Sequence, residues 1–295
     1  MPNLGQRRAA LAELPPLREV IRRHGLAARR DLGQHFLLDA NLTDRIARAA
    51  CGPGEADLSR GTAIEIGPGP GGLTRSLLRA GARVLAVEVD RRALDALADL
   101  SAVADGRLVA METDALELDL QSAARLHGLP PPYRIVSNLP YNIGTPLLVR
   151  WLRNPADIER MVLMFQREVA DRLTARPGSK AYGRLSVFAQ WLCEAATLFG
   201  LPAAAFTPPP KVASSVVSLR PRAAPLAPAD PACLERVTAA AFGQRRKMLR
   251  QSLKPLLAEP AEALRALDID PTARGETLTV QQFCAIARTV AERGG

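Results

Sequence analysis

Lysine is scarce in this sequence: it supplies only four of the 39 basic residues, and arginine supplies the rest. Aromatic residues make up 4%, so a core must be built mainly from leucine, alanine, valine and isoleucine. Four cysteines (Cys51, Cys193, Cys233 and Cys284) are scattered without a CxxC pair, and the three histidines stand apart. This pattern argues against a metal site and against a disulfide framework, and it fits free thiols in a reducing compartment. No apolar run approaches a membrane span, and the start "MPNLGQRRAALAELPPL" lacks the apolar segment of a signal peptide. A cytoplasmic protein is expected.

What is present bounds the rest. A chain of 295 residues with 47% hydrophobic content is long enough for one large domain and a smaller one. The net charge is +9, a surplus over 30 acids that codon preference for arginine over lysine does not explain. Such a surplus favours a polyanionic partner, RNA or DNA. A membrane surface is disfavoured, because no basic amphipathic helix with bulky apolar anchors is visible.

From Thr62 onward short apolar runs alternate with helical patterns. "TAIEIG", "RVLAVEVD", "RLVAMETDAL", "YRIVSNLPY" and "ERMVLMFQ" are predicted strands, and "GGLTRSLLRAG", "RRALDALADL" and "TPLLVRWLR" predicted helices. Strands joined by such helices imply right-handed crossovers and a mostly parallel sheet covered on both faces. "KVASSVVSLRP" alternates as an antiparallel strand near the sheet edge would. "RPRAAPLAPADP" has no periodicity and is a predicted linker, after which the pattern is helical. The expected division is a basic, partly disordered extension over 1–30, an α/β domain over 31–222, and a small all-α domain over 223–295.

"EIGPGPGG" joins the first strand to its helix. Gly67, Gly69 and Gly72 fit the GxGxxG dinucleotide fingerprint, and Glu88 ends the next strand where a ribose-binding acid belongs. A dehydrogenase therefore stays open at this point. Two details favour a different ligand. Pro68 and Pro70 remove backbone N–H groups that a pyrophosphate would use. Glu65, Glu88 and Asp114 crowd the loop with carboxylates, which repel pyrophosphate but suit S-adenosylmethionine, with its sulfonium, ammonium and ribose hydroxyls. Glu88 would accept the ribose hydroxyls and Asp114 the adenine amino group. Asp114 also fits a helix N-cap before "ALELDL".

"NLPY", residues 138–141, ends the fourth strand at the sheet edge where ligands bind in open α/β folds. An exocyclic adenine amine is a poor nucleophile because its lone pair is delocalised into the ring. The Asn138 side-chain carbonyl and the Leu139 main-chain carbonyl would draw its protons out of plane, with Pro140 holding the turn and Tyr141 offering a stacking face. The competing reading is a strand-end turn whose tyrosine packs inward.

"DLGQHFLLD", "EIGPGPGGLT", "METDAL", "SNLPYNIGTPLL", "KAYGRLSV", "AFTPPPKVASSVV" and "AAFGQRRKMLRQSL" resemble, in this order, the small-subunit ribosomal RNA adenine dimethyltransferase family. The resemblance runs from about Arg30 to the C-terminus. It implies a Rossmann-like methyltransferase domain with a seven-stranded sheet, followed by a helical domain. It also implies dimethylation of two adjacent adenosines in a hairpin loop near the 3′ end of 16S rRNA, on the assembling 30S subunit, by a monomer and without a metal. Its S-adenosylmethionine contacts map to His35, Leu37, Gly67, Gly69, Glu88, Asp114 and Asn138. The family usually has "GQNF", so His35 is a departure, and two roles stay open for it: donor to the methionine carboxylate, or a capping and packing contact. Phe206 matches a second aromatic that would close over the adenine opposite Tyr141, with core packing as its alternative.

Two basic clusters are candidate rRNA contacts: Arg29 with Arg30, and Arg245, Arg246, Lys247 and Arg250. On a continuous helix the latter would form one stripe, at i,i+3 and i,i+4 spacings. The rival functions are a macrolide-resistance methyltransferase acting on large-subunit rRNA, an NAD-dependent dehydrogenase, and a non-enzymatic assembly factor. "AYGRLSV" and "QRRKML" favour the small-subunit enzyme over the first.

Overall fold

The computed structural model describes residues 9–29 and 34–293. Helix α1 spans Leu17–Arg23; strand β1, Phe36–Leu37, and helix α2, Ala40–Ala49, follow. The alternating part then runs β2 Thr62–Ile66, α3 Gly72–Arg79, β3 Arg83–Glu88, α4 Arg91–Val103, β4 Leu108–Glu112, α5 Leu120–Leu126, β5 Tyr133–Asn138, α6 Gly144–Arg153 and β6 Ile158–Gln166. Next come α7 Arg167–Leu173, α8 Arg184–Leu192, β7 Cys193–Leu201, β8 Phe206–Thr207 and β9 Ser214–Pro221. The last helices are α9 Pro231–Gly243, α10 Leu249–Ser252, α11 Pro260–Ala266 and α12 Val280–Arg293.

Seven strands form one sheet in the order β4-β3-β2-β5-β6-β9-β7, parallel from β4 to β6. Every residue of β2 is buried, as expected of a central strand with helices on both faces. Aspartate side chains start three of the helices. Asp39, Asp90 and Asp119 each accept a backbone N–H from the first turn of α2, α4 and α5. Strand β9 runs antiparallel to β6, pairing Met161 with Leu219 and Gln166 with Ser214. The outermost strand is β7, which the sequence reading missed. Its pattern is mostly exposed and small ("CEAATLFGL"), so apolar alternation gives no signal.

The chain divides into two compact units. One holds residues 1–167 and 197–220, the other 168–196 and 221–295. The expected boundary at 222 therefore needs correction, because residues 168–196 group with the helical part. Tyr182, Val187 and Trp191 supply apolar surface to the same cluster as Leu234, Val237, Leu264 and Phe283. The segment read as a linker has no regular structure but is strapped down. Leu226 N–H donates to the Trp191 carbonyl, and the Trp191 indole donates to the Ala227 carbonyl at 2.7 Å.

Of the expected extension, Leu11 is buried in the main apolar cluster, and Val20 and Leu26 pack with Ala93 and Ala96. In the helical unit, α9 stops at Gly243 and residues 244–248 form a turn before α10, so Arg246, Lys247 and Arg250 do not share one helical stripe. Among the described residues no helix is long and apolar enough to cross a membrane, and no group of three metal-binding side chains exists.

Candidate active site

The site grows from the C-terminal ends of β2, β3 and β5 and the turn that follows β4. After Ile66 the chain enters a glycine loop that closes onto α3. Two of its glycines are required by close approach. A Cβ on Gly72 would lie 2.8 Å from the Leu37 carbonyl oxygen, and Gly69 has φ +53° with Phe36 3.0 Å from where a Cβ would stand. The loop thus lies against β1, and the two together wall a cavity. Its lining includes His35, Leu37, Gly67, Gly69, Glu88, Asp114, Asn138, Leu139 and Pro140. These nine expected site residues converge, and Gln34, Glu65, Val89 and Asn142 join them.

Three carboxylates face this space. Glu88, 5% exposed, accepts the Val89 and Asp90 N–H groups on one oxygen and Gly69 N–H at 3.3 Å on the other. Burial raises its pKa, and those backbone donors pull the other way. Glu65 is 2% exposed and accepts the Thr74 hydroxyl at 2.7 Å. Burial pushes its carboxyl up to about 8; the Thr74 bond opposes this, and the charge of Glu88 adds to it. Asp114 lines the cavity and also caps a turn, its carboxylate accepting Leu116 N–H at 2.8 Å. The helix N-cap read for Asp114 is corrected, because a turn and not a helix follows it. The helix begins at Leu120, capped by Asp119.

Strand β5 carries the acceptor side. Ser137 hydroxyl donates to the Ile66 carbonyl at 2.6 Å, which locks the ends of β5 and β2 together. The Asn138 amide nitrogen donates to the His35 main-chain carbonyl at 2.8 Å. Only the NH₂ end of an amide can satisfy a carbonyl, so this contact fixes the amide orientation and turns its oxygen the other way as an acceptor. The Pro140 carbonyl takes the Ile143 and Gly144 N–H groups, which starts α6 directly behind the turn.

The His35 ring makes packing and hydrogen-bond contacts beside the cavity. Its Nδ1 lies 2.8 Å from the Pro208 carbonyl, so Nδ1 carries the proton and donates. The ring centroid stands 5.4 Å from that of Tyr141, tilted by 33°. Tyr141 is half-buried, and its phenol shares a 2.6 Å hydrogen bond with the Ser214 hydroxyl. Burial raises the phenol's pKa while Ser214 opposes the rise, so the ring stays neutral. Phe206 is corrected: at 2% exposure it pairs with Leu37 across β1 and β8 and sits in the core, leaving Tyr141 as the aromatic face of the turn.

The expected rRNA contacts fare unevenly. Arg29 is exposed and its backbone brackets the Gln34 side chain, whereas Arg30 lies outside the described residues. Arg245 is tied into its own unit by Glu276 and two carbonyls. Arg246, Lys247 and Arg250 are exposed. The sequence reading missed Ser214, although the antiparallel alignment of "SSVVSL" with β6 would have brought it to the sheet edge that holds the NLPY turn.

A family model for ribosomal RNA adenine dimethylase matches residues 25–292. The chain is 60% identical over 283 residues to the Ribosomal RNA small subunit methyltransferase A of Rhodospirillum rubrum, covering 95% of this chain and 94% of that one. It is 58% identical to the protein of that name from Paramagnetospirillum magneticum, covering 96% and 97%. Among solved structures it resembles a dimethyladenosine transferase from Plasmodium falciparum, with TM-score 0.75 and 23% identity over 88% of this chain and 98% of that one. It also resembles the 23S rRNA methyltransferase ErmE, with TM-score 0.65 and 26% identity over 87% and 99%.

Proposed function

The chain belongs to the ribosomal RNA adenine dimethylase family, and from that premise we propose that it dimethylates N6 of two adjacent adenosines in the hairpin loop near the 3′ end of 16S rRNA. The substrate is the assembling small subunit, and the enzyme works as a cytoplasmic monomer. The observation that carries the reading is the Asn138 amide, held by the His35 carbonyl beside a cavity lined by carboxylates.

The chemistry of the cavity fits S-adenosylmethionine. Buried carboxylates with raised pKa values are short of positive partners, and a sulfonium with an ammonium provides them. Gly67, Gly69 and Leu37 would hold the methionine end, Glu88 the ribose and Asp114 the adenine. When bound, that group supplies an electrophilic methyl. Asn138 Oδ1 and the Leu139 carbonyl accept the two N6 protons of the target adenine and localise its lone pair toward the methyl. Pro140 keeps the turn rigid, and Tyr141 stacks on the extruded base. No general base is required before attack, because the amine is neutral.

Asn138→Ala is expected to lower methyl transfer to isolated 30S particles by a factor of at least ~100, the scale seen when a transition-state hydrogen bond is removed, with particle binding retained. Turnover near wild type would refute the clamp. Labelled methyl groups appearing on 50S particles alone would refute the choice of substrate.

A further inference from the structure

We infer that the His35 side chain is a positioning residue for methyl transfer: it braces Tyr141, the ring on which the target adenine stacks, and does not hold the methyl donor. The inference deepens the reading of the chain as an rRNA adenine methyltransferase and rests on it.

Residue 35 meets the acceptor side of the site at three points. Its main-chain carbonyl accepts the Asn138 amide at 2.8 Å. Its Nδ1–H donates to the Pro208 carbonyl at 2.8 Å. Its ring centroid stands 5.4 Å from that of Tyr141. The local pairing accounts for the first two. Phe36 pairs with Thr207 across β1 and β8, so the next step puts His35 opposite Pro208. Proline has no N–H to give to a partner strand. The His35 carbonyl is thereby left to the Asn138 amide, and a side chain rather than the ladder secures Pro208.

The Nδ1 bond also decides what the ring does not do. In a neutral imidazole, a proton on Nδ1 leaves Nε2 as an acceptor. The ring then has no second N–H for the carboxylate of a bound methyl donor. What it offers is a flank for Tyr141. The phenol is fixed at one end by the Ser214 hydroxyl at 2.6 Å, and the imidazole stands beside the ring, tilted by 33°. Phe206 lies in the core and leaves this support to His35. A stacking face held at two points keeps an extruded base in line with the Asn138 oxygen, and small errors in that alignment slow a reaction severely. An asparagine at position 35 places a side-chain N–H the same number of bonds from Cβ as Nδ1, so it can keep the Pro208 bond. It leaves the flank of Tyr141 open.

The test is a double-mutant cycle. His35→Asn and Tyr141→Ala, singly and together, are compared in single-turnover methylation of unmethylated 30S particles, with S-adenosylmethionine affinity measured by calorimetry. His35→Asn is expected to slow transfer about 3- to 10-fold, the range that an aromatic pair contributes, and to leave S-adenosylmethionine affinity unchanged. In the Tyr141→Ala background the same substitution should slow transfer no further. An unchanged rate overturns the proposal, and so do additive losses, because the ring would then act by another route. A marked loss of S-adenosylmethionine affinity at unchanged rate also overturns it, since His35 would then be a cofactor contact. A wild-type protein that binds S-adenosylmethionine but leaves 30S particles unlabelled fails the substrate reading instead. The four proteins are then compared in urea unfolding, where an absence of coupling between residues 35 and 141 overturns the brace.

Discussion

Replacing Glu65 by glutamine isolates the electrostatic cost of the cavity. The buried carboxyl is raised from 4.5 to about 8, mainly by desolvation. At about 1.4 kcal/mol per unit this is a ceiling of roughly 5 kcal/mol between the two protonation states. Between these two values the folded chain keeps a proton that the unfolded chain has released. Wild-type stability therefore drops by up to about 1.4 kcal/mol per pH unit through this window from Glu65 alone, and flattens above about pH 8. Glutamine cannot ionise, and its carbonyl can still accept the Thr74 hydroxyl that now donates at 2.7 Å. The variant is expected to match the wild type near pH 4.5 and to exceed it by a few kcal/mol at about pH 9. Glu88 titrates in both proteins, and removing the neighbouring charge moves the difference in the same direction. Urea unfolding of the ligand-free proteins across this range measures the gap, and parallel stability curves would refute the reasoning. The same linkage makes binding of the cationic methyl donor near pH 7 release a proton in the wild type. Calorimetry in buffers of different ionisation enthalpy reads that release.

Three other substitutions probe separate parts of the molecule. Tyr141→Ala removes the stacking face and is expected to cost about 1–3 kcal/mol in kcat/KM, while Tyr141→Phe, which loses only the Ser214 hydrogen bond, stays within roughly fivefold; equal losses would mean the phenol matters more than the ring. Gly72→Ala drives a methyl to 2.8 Å from the Leu37 carbonyl. It should destabilise by about 1–3 kcal/mol in urea unfolding and weaken S-adenosylmethionine binding, and a wild-type unfolding curve would contradict the close approach. Arg134, 2% exposed, donates to Glu55 at 2.7 Å and to Glu159 at 2.9 Å. Arg60 also donates to both carboxylates; Arg134→Met is expected to cost roughly 3 kcal/mol by removing their buried partner, and an unchanged thermal midpoint would show that Arg60 alone neutralises them.

The sequence made the parallel strands legible because their signals are redundant. "TAIEI" and "RVLAVE" are short, β-branched or alanine-rich, and flanked by glycine or aspartate at the helix starts. The same holds for the cavity, where Glu88 and Asn138 each end a strand by spacing alone. What was not legible depends on partners distant in sequence. Strand β7 has no apolar stripe, and it takes its place from β9. Phe206 sits beside prolines, a context that fits either a lid or a core residue. Only its pairing with Leu37 decides for the core. In "QRRKMLRQSL" each residue is a fair helix former. The break at Gln244 goes with contacts just after it: Arg245 to Glu276, and Leu249 N–H to the Ala273 carbonyl.

The placement of the site follows from strand order. The chain builds β2, then β3 and β4 outward on one side, and then crosses back to lay β5 on the other side of β2. The loops after β2 and β5 therefore leave the sheet in opposite directions and open a crevice between them, the switch point where open α/β sheets take ligands. Ser137 holds the crevice at its base through the Ile66 carbonyl, so the glycine loop and the NLPY turn rise from one fixed point. Glu65 and Glu88 come from the loop side and Asn138 from the other. A methyl donor held by the first group, as proposed, would face the second across one cavity. The asparagine therefore need not move to meet it, and rigidity at Ser137, Pro140 and His35 serves the reaction better than flexibility would.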